Sequence, residues 1–193
     1  TIKVGLLPVG ITYDPSNGYI YVTDSGCCNV SIINPSTNQV IGKIPVERYP
    51  YGITYDPSNG YIYVTSYACN TVLVINPSTN QVICTITVGN KPIYVTYDPA
   101  NNYLYVTDCG SNEVSVINPS TNQVICTITV GKGPRDAVYD PFNGYLYVTN
   151  TISGTVSIVP TVTDYEVEFV ESGLPAGTPW SVTLNGVTET STN

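Results

Sequence analysis

Short runs of apolar and polar residues in alternation fill the first 160 positions, and no stretch holds the 3.6-residue spacing of an amphipathic helix. In a representative stretch, four such runs predict four strands, A to D: Gly52 to Tyr55, Tyr61 to Thr65, Thr71 to Ile75, and Gln81 to Val88. Each is rich in β-branched and aromatic residues, which suit a pleated, half-buried surface. Between A and B lies Asp56-Pro57-Ser58-Asn59-Gly60. Pro at its second position fits a type I turn, and Gly60 can adopt the left-handed conformation that closes a bulged hairpin. The C–D connection Asn76-Pro77-Ser78-Thr79-Asn80 follows the same logic, with Asn80 tolerating a positive φ.

The pattern recurs. The phrase Tyr-Asp-Pro-x-Asn-Gly/Asn-Tyr-Ile/Leu-Tyr-Val-Thr begins at Tyr13, Tyr55, Tyr97 and Tyr139, 42 residues apart each time. A period of that length with four strands per unit predicts an all-β chain: a β-propeller of four-stranded blades. The fourth copy runs through strand C (Thr155 to Val159) and then lacks the C–D turn and strand D. At the other end, Thr1 to Pro8 matches Thr85 to Pro92 and Thr127 to Pro134. The expectation is four blades closed in a 3+1 arrangement, with Ile2 and Val4 pairing near Val156 to Val159; a larger ring is the competing expectation. Residues 1–161 are assigned to the propeller. Residues 162–193 form a second unit with strands over Tyr165 to Val170 and Trp180 to Leu184, too few for an independent sandwich.

Tyr21-Val22-Thr23-Asp24 and its counterparts ending at Ser66, Asp108 and Asn150, with the Val-Gly-x-x-Pro lead-ins and the Asn-Pro-Ser-Thr-Asn turns, resemble the YVTN-family β-propeller repeat. That resemblance covers about residues 1–160 and implies a propeller in an archaeal surface-layer or otherwise secreted setting, with no catalytic residues to carry over. Glu171-Ser172-Gly173-Leu174-Pro175 and the following Trp180 to Gly186 resemble the start of an immunoglobulin-like module found beside thermopsin-like archaeal surface proteins.

Charge sharpens the setting. The chain carries −8 with no His and no Met; residues 1–161 hold nine acids and six bases, and residues 162–193 hold five acids and no base. An acidic chain without a basic stripe argues against nucleic acid and anionic membranes as partners. No signal peptide and no long apolar run is present, as expected of a processed extracellular chain. Asn29-Val30-Ser31 is the sole glycosylation sequon, making Asn29 the candidate acceptor.

Six cysteines divide into two sets. Cys84 and Cys126, one repeat apart on strand D, are expected to be buried free thiols. Cys27, Cys28, Cys69 and Cys109 fall in B–C connections on one rim, where disulfides between blades are the expectation; free thiols or a thiolate metal site are the alternatives. No metal or cofactor is expected. The same rim gathers the most variable residues: Arg48, Tyr49, Tyr51, Lys91, Tyr94, Arg135 and Asp136 in D–A connections, with Asp24 and Asp108 at the ends of strand B. Tyr, Arg and Asp together suit a sugar or peptide site through stacking and directional hydrogen bonds. Asp24 and Asp108, in the first and third copies, are expected to face each other across the channel. With no histidine, no phosphate loop and no nucleophile elbow, the sequence predicts a non-catalytic protein. The leading expectation is a structural building block of a surface layer or filament, partnered by itself or other surface proteins. The alternative is adhesion or glycan/peptide binding at the variable rim.

Overall fold

The computed structural model describes residues 1–161, 179–184 and 187–192. The chain divides into two units, Thr1–Val162 and Thr163–Asn193. In the first, fifteen strands form four antiparallel sheets. Blade 1 is β1 (Pro8–Asp14), β2 (Tyr19–Asp24), β3 (Asn29–Asn34) and β4 (Gln39–Pro45); blade 2 is β5 (Pro50–Asp56), β6 (Tyr61–Ser66), β7 (Thr71–Asn76) and β8 (Gln81–Thr87). Blade 3 is β9 (Pro92–Asp98), β10 (Tyr103–Asp108), β11 (Glu113–Asn118) and β12 (Gln123–Thr129); blade 4 has three strands, β13 (Pro134–Asp140), β14 (Tyr145–Asn150) and β15 (Thr155–Pro160). In the second unit β16 (Pro179–Leu184) and β17 (Val187–Thr192) pair antiparallel. The strand expected over 165–170 lies outside the described residues.

The turns form as their chemistry requires. Asp14 Oδ1 accepts Ser16 N–H at 2.8 Å and Asp56 Oδ1 accepts Ser58 N–H at 2.8 Å, while Gly60 sits at φ 76° and Asn80 at 54°. The turn Asn then reaches into the blade: Asn59 Nδ2 donates to Tyr63 Oη at 2.9 Å, and Asn17, Asn101 and Asn143 do the same to Tyr21, Tyr105 and Tyr147. Each A–B turn thereby clamps a strand-B tyrosine, and in the first three blades that ring is fully buried.

Three apolar cores lie between consecutive blades. The first joins Tyr21, Val30 and Ile44 to Ile53, Ile62 and Leu73; the second and third repeat it one and two blades on. A threonine in strand B stitches the inner strands. Thr65 Oγ1 accepts Gly52 N–H at 2.8 Å and donates to Ile93 C=O of the next blade at 2.8 Å; Thr23 and Thr107 take the same role towards Tyr51 and Arg135. These bonds cap carbonyls that the innermost strand could not pair within its own sheet.

The expected 3+1 closure is not formed. Residues 1–4 belong to no strand, and β15 pairs with β14 alone in a three-stranded sheet. The reason lies in register: complete blades end strand D at Pro45, Thr87 and Thr129, so only residues 1–3 correspond to strand-D positions. Three residues cannot replace the seven of β8.

Candidate ligand-binding site

Inner strands β1, β5, β9 and β13 wall the channel, and their first residues surround a cavity of about 190 Å3. Its lining is two adjacent positions from each strand: Val9-Gly10, Tyr51-Gly52, Ile93-Tyr94 and Arg135-Asp136. The repeat supplies an internal contrast here. Pro, two residues after the left-handed loop position, is invariant from blade to blade in its role, and the Thr-Tyr-Asp that follows changes little, yet these two positions change in every blade. At the second of them, glycine in two blades makes room. A Cβ on Gly52 would lie 2.6 Å from Ile93 O and 2.7 Å from Tyr94 Cα, so no larger residue fits without moving backbone. In the other two blades the same position carries Tyr94 and Asp136. Burial, and secondarily the Asp136 carboxylate, raises the Tyr94 hydroxyl above its ordinary value. Asp136 is itself held by Ala137 N–H, which donates to Oδ1 at 2.8 Å.

Beside the cavity runs an aromatic ledge. Tyr51 and Tyr67 have ring centroids 5.4 Å apart, and Lys91 Nζ lies 6.0 Å from the Tyr67 centroid. Tyr49 and Lys91 both adopt positive φ, 53° and 54°, as do Leu7 and Gly133 at the same loop position. Their carbonyls accept N–H groups from the B–C turn, Tyr67 onto Tyr49 at 3.0 Å and Cys109 onto Lys91 at 3.1 Å. This loop geometry turns the Tyr49 and Lys91 side chains out to solvent. Arg48, also exposed, lends its carbonyl to Ser66 Oγ at 2.9 Å.

Of the residues expected at the rim, the structure brings together Tyr51, Tyr94, Arg135 and Asp136, with Lys91 one ring away. Arg48 and Tyr49 lie on the rim without lining the cavity. Asp24 and Asp108 are corrected: both are fully buried inside their blades. Strand B is one strand removed from the channel wall, so a side chain at its end cannot face the opposite blade. Asp24 accepts Gly5 N–H at 3.0 Å and Ser31 Oγ–H at 2.6 Å, and Asp108 accepts Ser115 Oγ–H at 2.6 Å, which locks D–A loops in place. Tyr67 is the residue sequence reasoning missed. It occupies the position of Ser25, Cys109 and Thr151, so aligning the repeats one residue past strand B exposes it.

Asp108 differs from Asp24 in its neighbours. Its Oδ1 is buried without a hydrogen-bond partner, and Glu113 stands beside it where other blades have Asn29, Thr71 and Thr155. Burial chiefly, with Glu113 adding, pushes its carboxyl up to about 7. The folded chain then holds a proton that the unfolded chain releases near 3.8. Stability should therefore fall as pH rises from about 4 to 7. Asp108→Asn, which copies the residue at position 150, should flatten that slope and raise stability above pH 7 by about 1–2 kcal/mol. Urea unfolding of both proteins at pH 5 and pH 8 checks it; an unchanged slope in the variant counts against the assignment.

All six cysteines are free, so the expected rim disulfides are absent. Cys27 and Cys69 occupy the same turn in successive blades, and stacked sheets lie about 10 Å apart, beyond the roughly 7 Å Cα limit of a disulfide. Cys28 takes φ 53° where the other blades have Asn70, Asn112 and Gly154, and Cys27 Sγ accepts Leu6 N–H at 3.1 Å. Cys84 and Cys126 are half-buried against the second and third cores. Burial raises the Cys126 thiol. Asn29 opens β3 half-buried, its Nδ2 donating to Cys27 C=O at 3.1 Å.

A propeller with a polar cavity at its channel mouth is the class that the geometry defines. The family model described as "Lactonase, 7-bladed beta-propeller" matches residues 7–173, and the chain belongs to that family. Among solved structures, hydrazine synthase from Kuenenia stuttgartiensis aligns with TM-score 0.70 at 20% identity, over 83% of this chain and 51% of that one. Virginiamycin B lyase from Staphylococcus aureus, solved with quinupristin, gives 0.63 at 20% over 83% and 58%. A putative 6-phosphogluconolactonase from Bacteroides uniformis gives 0.63 at 16% over 78% and 53%. This chain thus spans about half the length of the solved structures it matches. No curated protein matches. These findings overturn the expectation of a non-catalytic structural building block, since the family and its neighbours point to enzyme-like and ligand-binding propellers. Absence of histidine misled the sequence reading: it removes one kind of base, while Asp, Tyr and Arg can still bind and polarise a substrate.

Proposed function

We propose that the protein is an enzyme-like, ligand-binding propeller whose channel mouth takes a small oxygen-rich molecule, a sugar lactone or the acid it opens to. The observation that carries this reading is the convergence of Tyr51, Tyr94, Arg135 and Asp136 on one cavity, at the two positions where the four inner strands differ most. Each group has a task that matches such a ligand. The Arg135 guanidinium offers paired N–H donors to a carboxylate or to the carbonyl oxygen of a cyclic ester. Tyr51 and Tyr94 present ring faces to the C–H surfaces of a sugar ring, and the Asp136 carboxylate accepts a ligand hydroxyl or the proton of an attacking water. The lactonase family match and the lactonase among the solved neighbours support the substrate class. The sparse charge and the motif at 171–186 support an extracellular setting in which residues 162–193 begin an immunoglobulin-like module.

Calorimetric titration with glucono-lactone and with gluconate tests the reading. Saturable binding of either, together with lactone opening faster than in buffer, is the expected result. No heat of binding and no acceleration at millimolar ligand would refute it.

A further inference from the structure

We propose that the exposed face of blade 4 is a docking surface for blade 1 of a second copy of this chain, in a head-to-tail association. On the matching face of the first three blades, Val30, Val72 and Val114 are fully buried and Ile32, Val74 and Val116 nearly so. In blade 4 the equivalents Val156 and Ile158 are 57% and 62% exposed. An apolar face that three neighbours cover with a following blade is therefore open in the fourth.

A polar group on the same face points to the same occupant. Thr23, Thr65 and Thr107 each donate to an inner-strand carbonyl of the following blade, at 2.7, 2.8 and 3.0 Å. Thr149 is the fourth member of that series, exposed, and its hydroxyl turns back onto Asp136 C=O of its own blade at 3.2 Å. The acceptors in the series are residues 51, 93 and 135, so the remaining equivalent is the carbonyl of Val9. Blade 1 presents it on an open apolar strand. Val9 is 52% exposed, and Ile11 is 67% exposed where its counterparts Ile53, Val95 and Ala137 are 4%, 1% and 6%.

The edge of β15 is complementary as well. In blade 2, Thr71 pairs with Thr87 and Val72 with Ile86. By the same register Thr155 and Val156 would pair with Lys3 and Ile2 of the second copy. That contact would cover an edge otherwise open to indiscriminate pairing. Both halves of the interface come from one repeat, so a copy of this chain supplies the apolar face, the carbonyl acceptor and the strand end together. Such a head-to-tail contact closes into a ring or extends into a longer assembly, according to its rotation.

Sedimentation of the 193-residue chain at about 50 μM should give a mass of two or more copies. Ile158→Asp and Ile11→Asp, both at exposed positions, should each be folded by circular dichroism and monomeric. Mixing the two variants should restore a 1:1 pair, because one intact face remains on each chain. A monomeric parent chain, as when further blades of a longer polypeptide cover these faces, would overturn the proposal. So would assembly that survives Ile158→Asp, or variants that fail to pair on mixing.

Discussion

Tyr63→Ala should destabilise the propeller by about 3–5 kcal/mol, the range for removing a large aromatic ring from a packed core. Tyr63 is fully buried between blades 2 and 3, among Val72, Val74, Ile86, Val95, Leu104 and Val106. Two losses combine in the substitution. The ring leaves a cavity that two stacked sheets cannot close without breaking the Thr65 bridge to Ile93, and Asn59 Nδ2 loses its acceptor. Tyr63→Phe separates them, since it keeps the packing and removes only the hydroxyl, at a cost of about 1 kcal/mol. Thermal unfolding should show the alanine variant melting roughly 10 °C or more below the parent. A drop of only a degree or two would mean that the blades do not depend on this ring.

Arg135→Ala should weaken binding of gluconate by roughly 10- to 100-fold, as loss of a charge-assisted pair predicts. The side chain is exposed at the cavity, and its backbone carbonyl, not its guanidinium, takes the Thr107 bond. Stability should therefore change by less than about 0.5 kcal/mol. Arg135→Lys should recover only part of the affinity, since an ammonium lacks the planar pair of donors. Equal affinity in all three proteins would remove Arg135 from the site.

Most of the blade architecture was legible because it is written in local chemistry. Asp-Pro-x-Asn-Gly fixes its turn through Asp56 and Gly60 whatever lies around it, and the strands of blade 2 end within two residues of their predicted bounds. The site was half legible. Repeat differences marked Arg135, Asp136, Tyr51 and Tyr94, because identical scaffolds leave only the differing side chains to vary the channel mouth. Misplaced residues have a common cause: their environment depends on which strand walls the channel. Asp24 and Asp108 sit in similar sequence contexts to the rim loops, yet strand B is second from the centre and buries them. Rim cysteines failed as disulfides for a related reason, since equal positions in successive blades are held apart by the sheet spacing. Closure of the ring by residues 1–3 could be judged only by register, which needs the ends of β4, β8 and β12.

A crystal structure of the chain soaked with glucono-lactone or gluconate tests the central claim most directly. The account predicts ligand density at the channel mouth, within hydrogen-bond distance of Arg135 and against the faces of Tyr51 or Tyr94. Density instead along the opposite end of the inner strands, in the cavity of about 580 Å3 beside Tyr13, Tyr55 and Tyr97, would contradict it.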